Sequence, residues 1–268
     1  MSTFIDGMPA EDYHAHPGVG STTVKMLATA PPALARYRMD HPEHKAAFDL
    51  GTVAHSVILE GDWSGVEIIY AKDRRTKAVQ ELEKAARAAG KIPLLAHEAV
   101  RVWVMYRAVM THPVVRELLT GHTAERSYFT EIDGVPVKAR PDALKGSTVI
   151  DLKTTSADLG SIERSVASFG YHLQQAHYTD VMRACGQDVD DFVFIFVSTA
   201  APHLVRVIRL EECAVDLGRE QARHALAVWK HCTETDTWPG YTGIDTLDLP
   251  GWVYAEQEDD IIKEIVIT

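Results

Sequence analysis

Cysteine is scarce in this chain of 268 residues. Cys185, Cys213 and Cys232 lie far apart, are odd in number and form no C-x-x-C pair. Neither a zinc ribbon nor an iron–sulfur cluster is indicated, and plain thiols account for all three. Long apolar runs are missing too: no stretch approaches the ~20 residues a membrane span needs. The opening residues, MSTFIDGMPAEDYHAH, lack the basic-then-apolar pattern of a signal peptide, so a cytoplasmic protein without a membrane partner is expected. Positive charge is in short supply, with 27 Lys and Arg against 38 Asp and Glu and a net charge of −11. Taken alone this speaks against a nucleic-acid binder, because neutralising phosphates needs Lys and Arg. Internal repeats and low-complexity linkers are also absent from the sequence.

The charge is unevenly spread. AKDRRTKAVQELEKAARAAGK, residues 71–91, is basic, whereas the tail from Asp245 to Thr268 is acidic with a single lysine. An acidic chain can still present a basic groove, and metal-binding carboxylates add negative charge at a site, so net charge decides little. Apolar residues make up 46% and charged residues 24%, the balance of a soluble globular protein. The length fits one large domain or two small ones.

Periodicity divides the chain. Helical patterns come first: Thr22 to His41, broken at Pro31-Pro32, then Phe48 to Glu60, Thr76 to Ala89 and Leu94 to Thr111. In the last of these, Val100, Trp103, Val104 and Val109 suggest an apolar stripe. Period-two patterns follow at Arg126–Ile132, Val135–Leu144 and Thr148–Thr154, divided by turn signals at Asp133-Gly134 and Lys145-Gly146-Ser147. Helices are expected near Asp158–Ser168 and Tyr171–Cys185. Phe192–Ser198 reads as a fully buried strand and Leu204–Leu210 as its neighbour. A long helix covers Glu211–Cys232, and the irregular tail holds a possible strand at Ile261–Ile267. This order predicts one α/β domain over residues 1–268 with a mixed central β-sheet flanked by helices. Its parts are a mainly helical 1–120, a sheet core at 121–235 and a tail at 236–268. A crossover from the Thr148 strand to the Phe192 strand is right-handed if the two are parallel.

The stretch RPDALKGSTVIDLKTT, residues 140–155, poses a physical problem. On a strand Asp151 and Lys153 share a face, while Ile150 and Leu152 point to the other, into the core. The short turn brings Asp142 beside Asp151. Two carboxylates that close raise a pKa or recruit a cation. Two carboxylates, a backbone carbonyl and waters make the oxygen-rich shell that Mg²⁺ prefers, and Lys153 stands where it would orient a water or stabilise developing negative charge. By itself D-x₈-D-x-K is more often a cross-strand salt bridge on a solvated sheet face. In the same way, a lone helical histidine such as His55 is by default a satisfied core residue. Gln174 and Tyr178, four apart on one helical face, read by default as surface polarity. The histidines of H-A-H at 14–16 and H-P-E-H at 41–44 read as exposed loop residues. Trp238, Tyr241 and Trp252 read as pins for the tail.

The company these residues keep is more specific. Pro141-Asp142 with Asp151-Leu152-Lys153 resembles the signature of the PD-(D/E)xK nuclease superfamily. The wider pattern is similar to one branch of it, the nuclease domain of RecE (exodeoxyribonuclease VIII) and its phage relatives. It comprises E-D-Y-H at 11–14, G-T-V-A-H-S-V-I-L-E at 51–60, A-E-R-S at 124–127, R-P-D at 140–142 and D-L-K-T-T at 151–155. It continues through G-Y-H-L-Q-Q-A-H-Y at 170–178, D-T-W-P at 236–239 and T-L-D-L-P-G-W at 246–252.

This resemblance implies a PD-(D/E)xK core and assigns roles. Asp142 and Asp151 resemble the metal-bridging carboxylates, the Leu152 carbonyl completes part of the shell, and Lys153 resembles the catalytic lysine. Glu125 corresponds to the extra carboxylate at a second metal and His55 to a further ligand. Gln174, Tyr178 and Arg140 fall in the DNA-binding set. Ser21 and Thr22 occupy the place of a serine-rich stretch suited to a phosphate, with Gly20 where a serine is expected; a hydroxyl at a helix start is otherwise an N-cap.

The implied activity is a Mg²⁺-dependent 5′-to-3′ exonuclease on linear double-stranded DNA, with two ions per site and Mn²⁺ as a substitute. It would leave 3′ overhangs for recombination by strand annealing. The implied partners are DNA ends, a RecT-like annealing protein and further copies in a trimeric or tetrameric ring, in a bacterial or phage-encoded protein. The alternatives are a related nuclease of other polarity or endonucleolytic action, and an inactive DNA-binding module.

Overall fold

Two runs of β-formers, T-V-I-D-L-K-T-T and D-F-V-F-I-F-V-S, set the centre of the molecule, and helices close over both of their faces. The structure, a computed structural model, describes residues 2–41, 46–249, 251 and 254. In chain order the first elements are β1 (Thr3–Ile5), α1 (Ala10–Ala15), α2 (Ser21–Thr29), α3 (Pro32–Asp40) and α4 (Ala46–Glu60). Next come β2 (Val66–Ile69), α5 (Lys77–Ala88), β3 (Ile92–Leu95), α6 (Ala96–Thr111) and α7 (Pro113–Leu119). The strands β4 (Thr123–Ala124), β5 (Ser127–Ile132), β6 (Val135–Ala139), β7 (Ala143–Lys145) and β8 (Thr148–Thr155) follow. A 3₁₀ turn at Leu159–Ser161 leads into α8 (Ile162–Ser168) and α9 (Tyr171–Ala184), then β9 (Asp191–Ser198), β10 (Val205–Ile208) and α10 (Glu212–Thr235).

The central sheet has the order β10-β9-β8-β7-β4. β8 and β9 run parallel and the other neighbours antiparallel, so the sheet is mixed, as expected. Side chains alternate along β8 and β9 and divide the interior in two. Val149, Phe192, Phe194 and Phe196 pack under α2, α9 and α10 through Val24, Leu173 and Leu226. Ile150, Leu152, Ile195 and Val197 pack under α4 and α6 through Val57, Val102 and Met105. Phe194, Ile195 and Phe196 are fully buried, each contributing roughly 1.5–3 kcal/mol of apolar burial.

The meander differs from expectation. β5 pairs with both β6 and β1 in a separate three-stranded sheet, while β4 and β7 continue into the central one. The chain bends out of one sheet and into the other at Glu125–Arg126 and at Arg140–Asp142. The register is nevertheless the same on both sides of the bend. Tyr128 pairs with Ala139 and Thr123 with Leu144, so no residue is inserted.

The part at 1–120, expected to be mainly helical, also supplies β1 and the parallel pair β2–β3. Of the expected apolar stripe on α6 only Val109 is buried, and the rest is corrected. Val100, Trp103 and Val104 are 60%, 47% and 39% exposed, while Ala99, Val102, Met105 and Val109 form the buried face. Trp238 packs edge-on against Trp229 at 5.6 Å, and Tyr241 is exposed rather than pinned. The possible strand at 261–267 and Trp252 lie outside the described residues. Among the described residues no helix is long and apolar enough to cross a membrane.

Candidate active site

The bend between β6 and β7 makes the site. β7 pairs with β8 only as far as Ala143, opposite Ile150. Carried two residues further, that register sets Pro141 against Leu152, and proline has no N–H for the ladder. Asp142 fills the gap instead: its Oδ2 accepts the Leu152 N–H at 2.6 Å. A strand residue directs its N–H and C=O to the same side, so the Leu152 carbonyl also faces this gap. The same Asp142 oxygen lies 3.5 Å from His55 Nδ1, presented by α4. Gly51, one turn earlier, faces β8, where a Cβ would stand in ordinary contact 3.4 Å from Thr154 Oγ1.

Asp151 is buried on the opposite face of β8 from Ile150 and Leu152. Its Oδ2 accepts a hydrogen bond from Gln174 Nε2 of α9 at 2.7 Å. Its Oδ1 touches the Lys153 ammonium, though without hydrogen-bond alignment. Lys153 also lies over the Tyr171 ring, 5.0 Å from its centroid. Glu125 pairs with Arg140, whose guanidinium lies 5.5 Å from the Tyr13 ring centroid.

The charges are interdependent. Burial pushes the Asp151 carboxyl up, and the Asp142 charge adds to this; Lys153 and His55 oppose it, and the net is upward. Burial also pushes Asp142 up, but His55, Lys153 and the Leu152 N–H outweigh it and hold this carboxyl below its ordinary range. Burial lowers His55 and Lys153, yet the adjacent carboxylates leave both raised. Two nearby carboxylates are thus pushed in opposite directions.

His55, Glu125, Arg140, Asp142 and Tyr178 line one cleft of about 390 Å³, together with Tyr13 and His14. The four expected side-chain ligands do not gather around one point. Asp151 lies apart from that lining, held by Lys153 and Gln174, and Glu125 is turned to Arg140. Among the described residues no group of three or more His, Cys, Asp or Glu side chains is disposed to hold a metal ion. The donor chemistry does fit a hard divalent cation: an imidazole and a carboxylate 3.5 Å apart, a second buried carboxylate and a strand carbonyl outside the ladder.

Of the other expected residues, Ser21 is buried at the first position of α2, where its hydroxyl meets Tyr178. Thr22 is exposed and does not line the cleft. Neither caps α2, whose N-cap is Gly20. Of the H-A-H histidines, His14 is exposed at the cleft, while His16 is partly buried and accepts the Gly18 N–H. Sequence reasoning missed Tyr13, Lys25 and Tyr171. Tyr171 stood unused inside the G-Y-H-L-Q-Q stretch, and Lys25 is one helical turn after Ser21 on the same face.

A candidate exonuclease from Eubacterium rectale shares this fold. It is 13% identical, with 91% of this chain and 95% of that one aligned at a TM-score of 0.65. A phage-related exonuclease from Haemophilus somnus is 15% identical over 85% of this chain and 100% of that one, at a TM-score of 0.34. No curated protein matches the chain. Residues 20–247, which span the bend and all the side chains just described from Ser21 onward, match the family described as "PDDEXK-like domain of unknown function (DUF3799)". The chain belongs to that PDDEXK-like family.

Proposed function

We propose that this protein is a divalent-metal-dependent deoxyribonuclease that hydrolyses phosphodiester bonds at the β6–β7 bend. The observation that carries this is the Asp142–Asp151–Lys153 arrangement. Two carboxylates are driven apart in proton affinity, with an ammonium fixed between a carboxylate and an aromatic face. The residues that would hold the metal are His55, Asp142, Asp151, the Leu152 carbonyl and, at a second position, Glu125. When bound, Mg²⁺ or Mn²⁺ would supply an activated water and charge neutralisation at the phosphate.

The chain's own groups do the rest. Asp142 fixes the His55 ring and the β8 backbone. Gln174 fixes Asp151. Lys153 holds a positive charge where the pentavalent phosphate would develop its negative one. Arg140 and Tyr178 line the cleft through which a DNA backbone would pass.

The finer reading is a 5′-to-3′ exonuclease on linear duplex DNA that works as a ring and hands its 3′ overhang to a RecT-like annealing partner. It rests on the ordered RecE-like motifs of the sequence. The test is linear duplex labelled at its 5′ or 3′ ends, with and without Mg²⁺, beside a covalently closed circle. Mg²⁺-dependent release from 5′ ends with the circle intact is the expected result. Cutting of the circle would replace it with an endonuclease, and no cleavage of either substrate would leave a DNA-binding module.

A further inference from the structure

Lys25 projects from α2 toward the same aromatic ring that carries Lys153. Its ammonium lies 5.8 Å from the Tyr171 centroid, against 5.0 Å for Lys153. Its stem packs on Gly170, which enters α9 in the left-handed conformation; a Cβ there would stand 3.2 Å from Lys25 Cδ. Among the described residues Lys25 has no carboxylate within ion-pair distance, and its ammonium faces the Tyr171 ring instead. Asp151, the nearest acidic influence, is already engaged by Lys153 and Gln174. Two ammonium groups thus share one ring and one carboxylate. A partly buried cation without an anion of its own is unfavourable, and with two ammonium groups to one carboxylate the arrangement is one negative charge short. Burial, and then the neighbouring Lys153 charge, lowers the Lys25 pKa to about 8 against the opposing pull of Asp151.

We infer that Lys25 is a substrate-binding residue that contacts a phosphate of the DNA backbone beside Lys153, from the α2–α9 side of the site. This rests on the nuclease reading above and deepens it: the phosphate is gripped from α2 as well as from β8. Both ammonium groups lie over the Tyr171 ring, and Gly170 gives Lys25 room to lie against the start of α9.

The test compares the full chain with Lys25→Met and Lys25→Arg. Binding of a short fluorescein-labelled duplex is followed by anisotropy across a salt series without metal, and cleavage is followed with Mg²⁺. Lys25→Met is expected to weaken binding about tenfold, as for one lost charge-assisted hydrogen bond, with Lys25→Arg recovering most of it. The slope of log Kd against log salt should fall by about one phosphate contact in Lys25→Met, a change that loosened packing alone does not produce. If Lys25→Met unfolds, Lys25→Gln, which keeps a polar stem, takes its place in the same series. Unchanged affinity and salt slope in an active protein overturn the assignment of Lys25. A parent protein that neither binds nor cuts DNA overturns the nuclease reading instead.

Discussion

Glu125 and Asp142 are joined through their backbones, the Glu125 N–H donating to the Asp142 carbonyl at 3.1 Å across the bend that separates the two sheets. The unbroken register on either side sets these two residues opposite each other, so both carboxylates are placed at the bend by the hairpin itself. Glu125 adopts φ +47°, a left-handed conformation that costs a residue with a Cβ about 1 kcal/mol. Such strain persists where the surroundings over-determine it, commonly at functional sites.

That strain can be separated from the carboxylate. Glu125→Ala keeps the Cβ and loses the Arg140 partner, whereas Glu125→Gly loses the partner and relieves the conformation. Glu125→Gly is expected to be more stable than Glu125→Ala by about 1 kcal/mol in urea unfolding. Both should slow cleavage equally, because both lack the carboxylate. Equal stabilities would show that the bend holds no strain at Glu125.

Asp151 and Lys153 form a buried pair, so removing either partner leaves a charge uncompensated. Asp151→Asn keeps an acceptor for Gln174 but strands the ammonium; Lys153→Met strands the carboxylate. Each single change is expected to cost about 3 kcal/mol. The Lys153→Met loss is the smaller, because Asp151 is already pushed toward its protonated form. The double variant should be more stable than either single one. All three should lose at least about 100-fold in cleavage rate. Additive losses in the thermodynamic cycle would mean the pair is not coupled.

The sequence made some of this legible and hid the rest for physical reasons. Alternation along T-V-I-D-L-K placed Asp151 and Lys153 on one face, and the apolar run after Asp191 marked the central strand, because side-chain period follows directly from strand geometry. The bend at Arg140–Asp142 was hidden, since Val135–Leu144 reads as one unbroken alternation and only tertiary pairing decides which sheet each half joins. Pro141 was the available clue, as a residue that cannot donate to a ladder. Lys25 was hidden because a lysine on an amphipathic helix normally faces solvent; its neighbours come from β8 and α9, more than a hundred residues away.

The α6 stripe shows the opposite error. Val100, Trp103, Val104 and Val109 read as a core face from apolar identity, yet of these only Val109 is buried, beside Val102 and Met105. Met105→Ala is therefore expected to cost about 2–5 kcal/mol. Val104→Ser should stay within about 0.5 kcal/mol, as for other surface changes. Thermal or urea unfolding of the two variants checks the rotation of the helix, and a reversed order would turn it round.

The acid limb of stability should trace to His177. This imidazole is buried, its Nε2 lies 3.1 Å from the Lys138 carbonyl, and burial lowers its pKa to about 4. In the unfolded chain a histidine titrates near 6.5. As pH falls below that value the unfolded state takes up a proton that the folded state refuses, so stability declines until the folded pKa is reached and is then flat. The difference amounts to roughly 3 kcal/mol between pH 6.5 and pH 4. His177→Gln retains an amide donor for the Lys138 carbonyl but does not titrate. It should therefore lose some stability at pH 7 and show a correspondingly shallower decline toward pH 4. Urea midpoints at pH 7, 5.5 and 4.5, chosen as about even steps across that window, compare the two proteins. If both decline with the same slope, proton uptake by His177 is not what weakens the fold in acid.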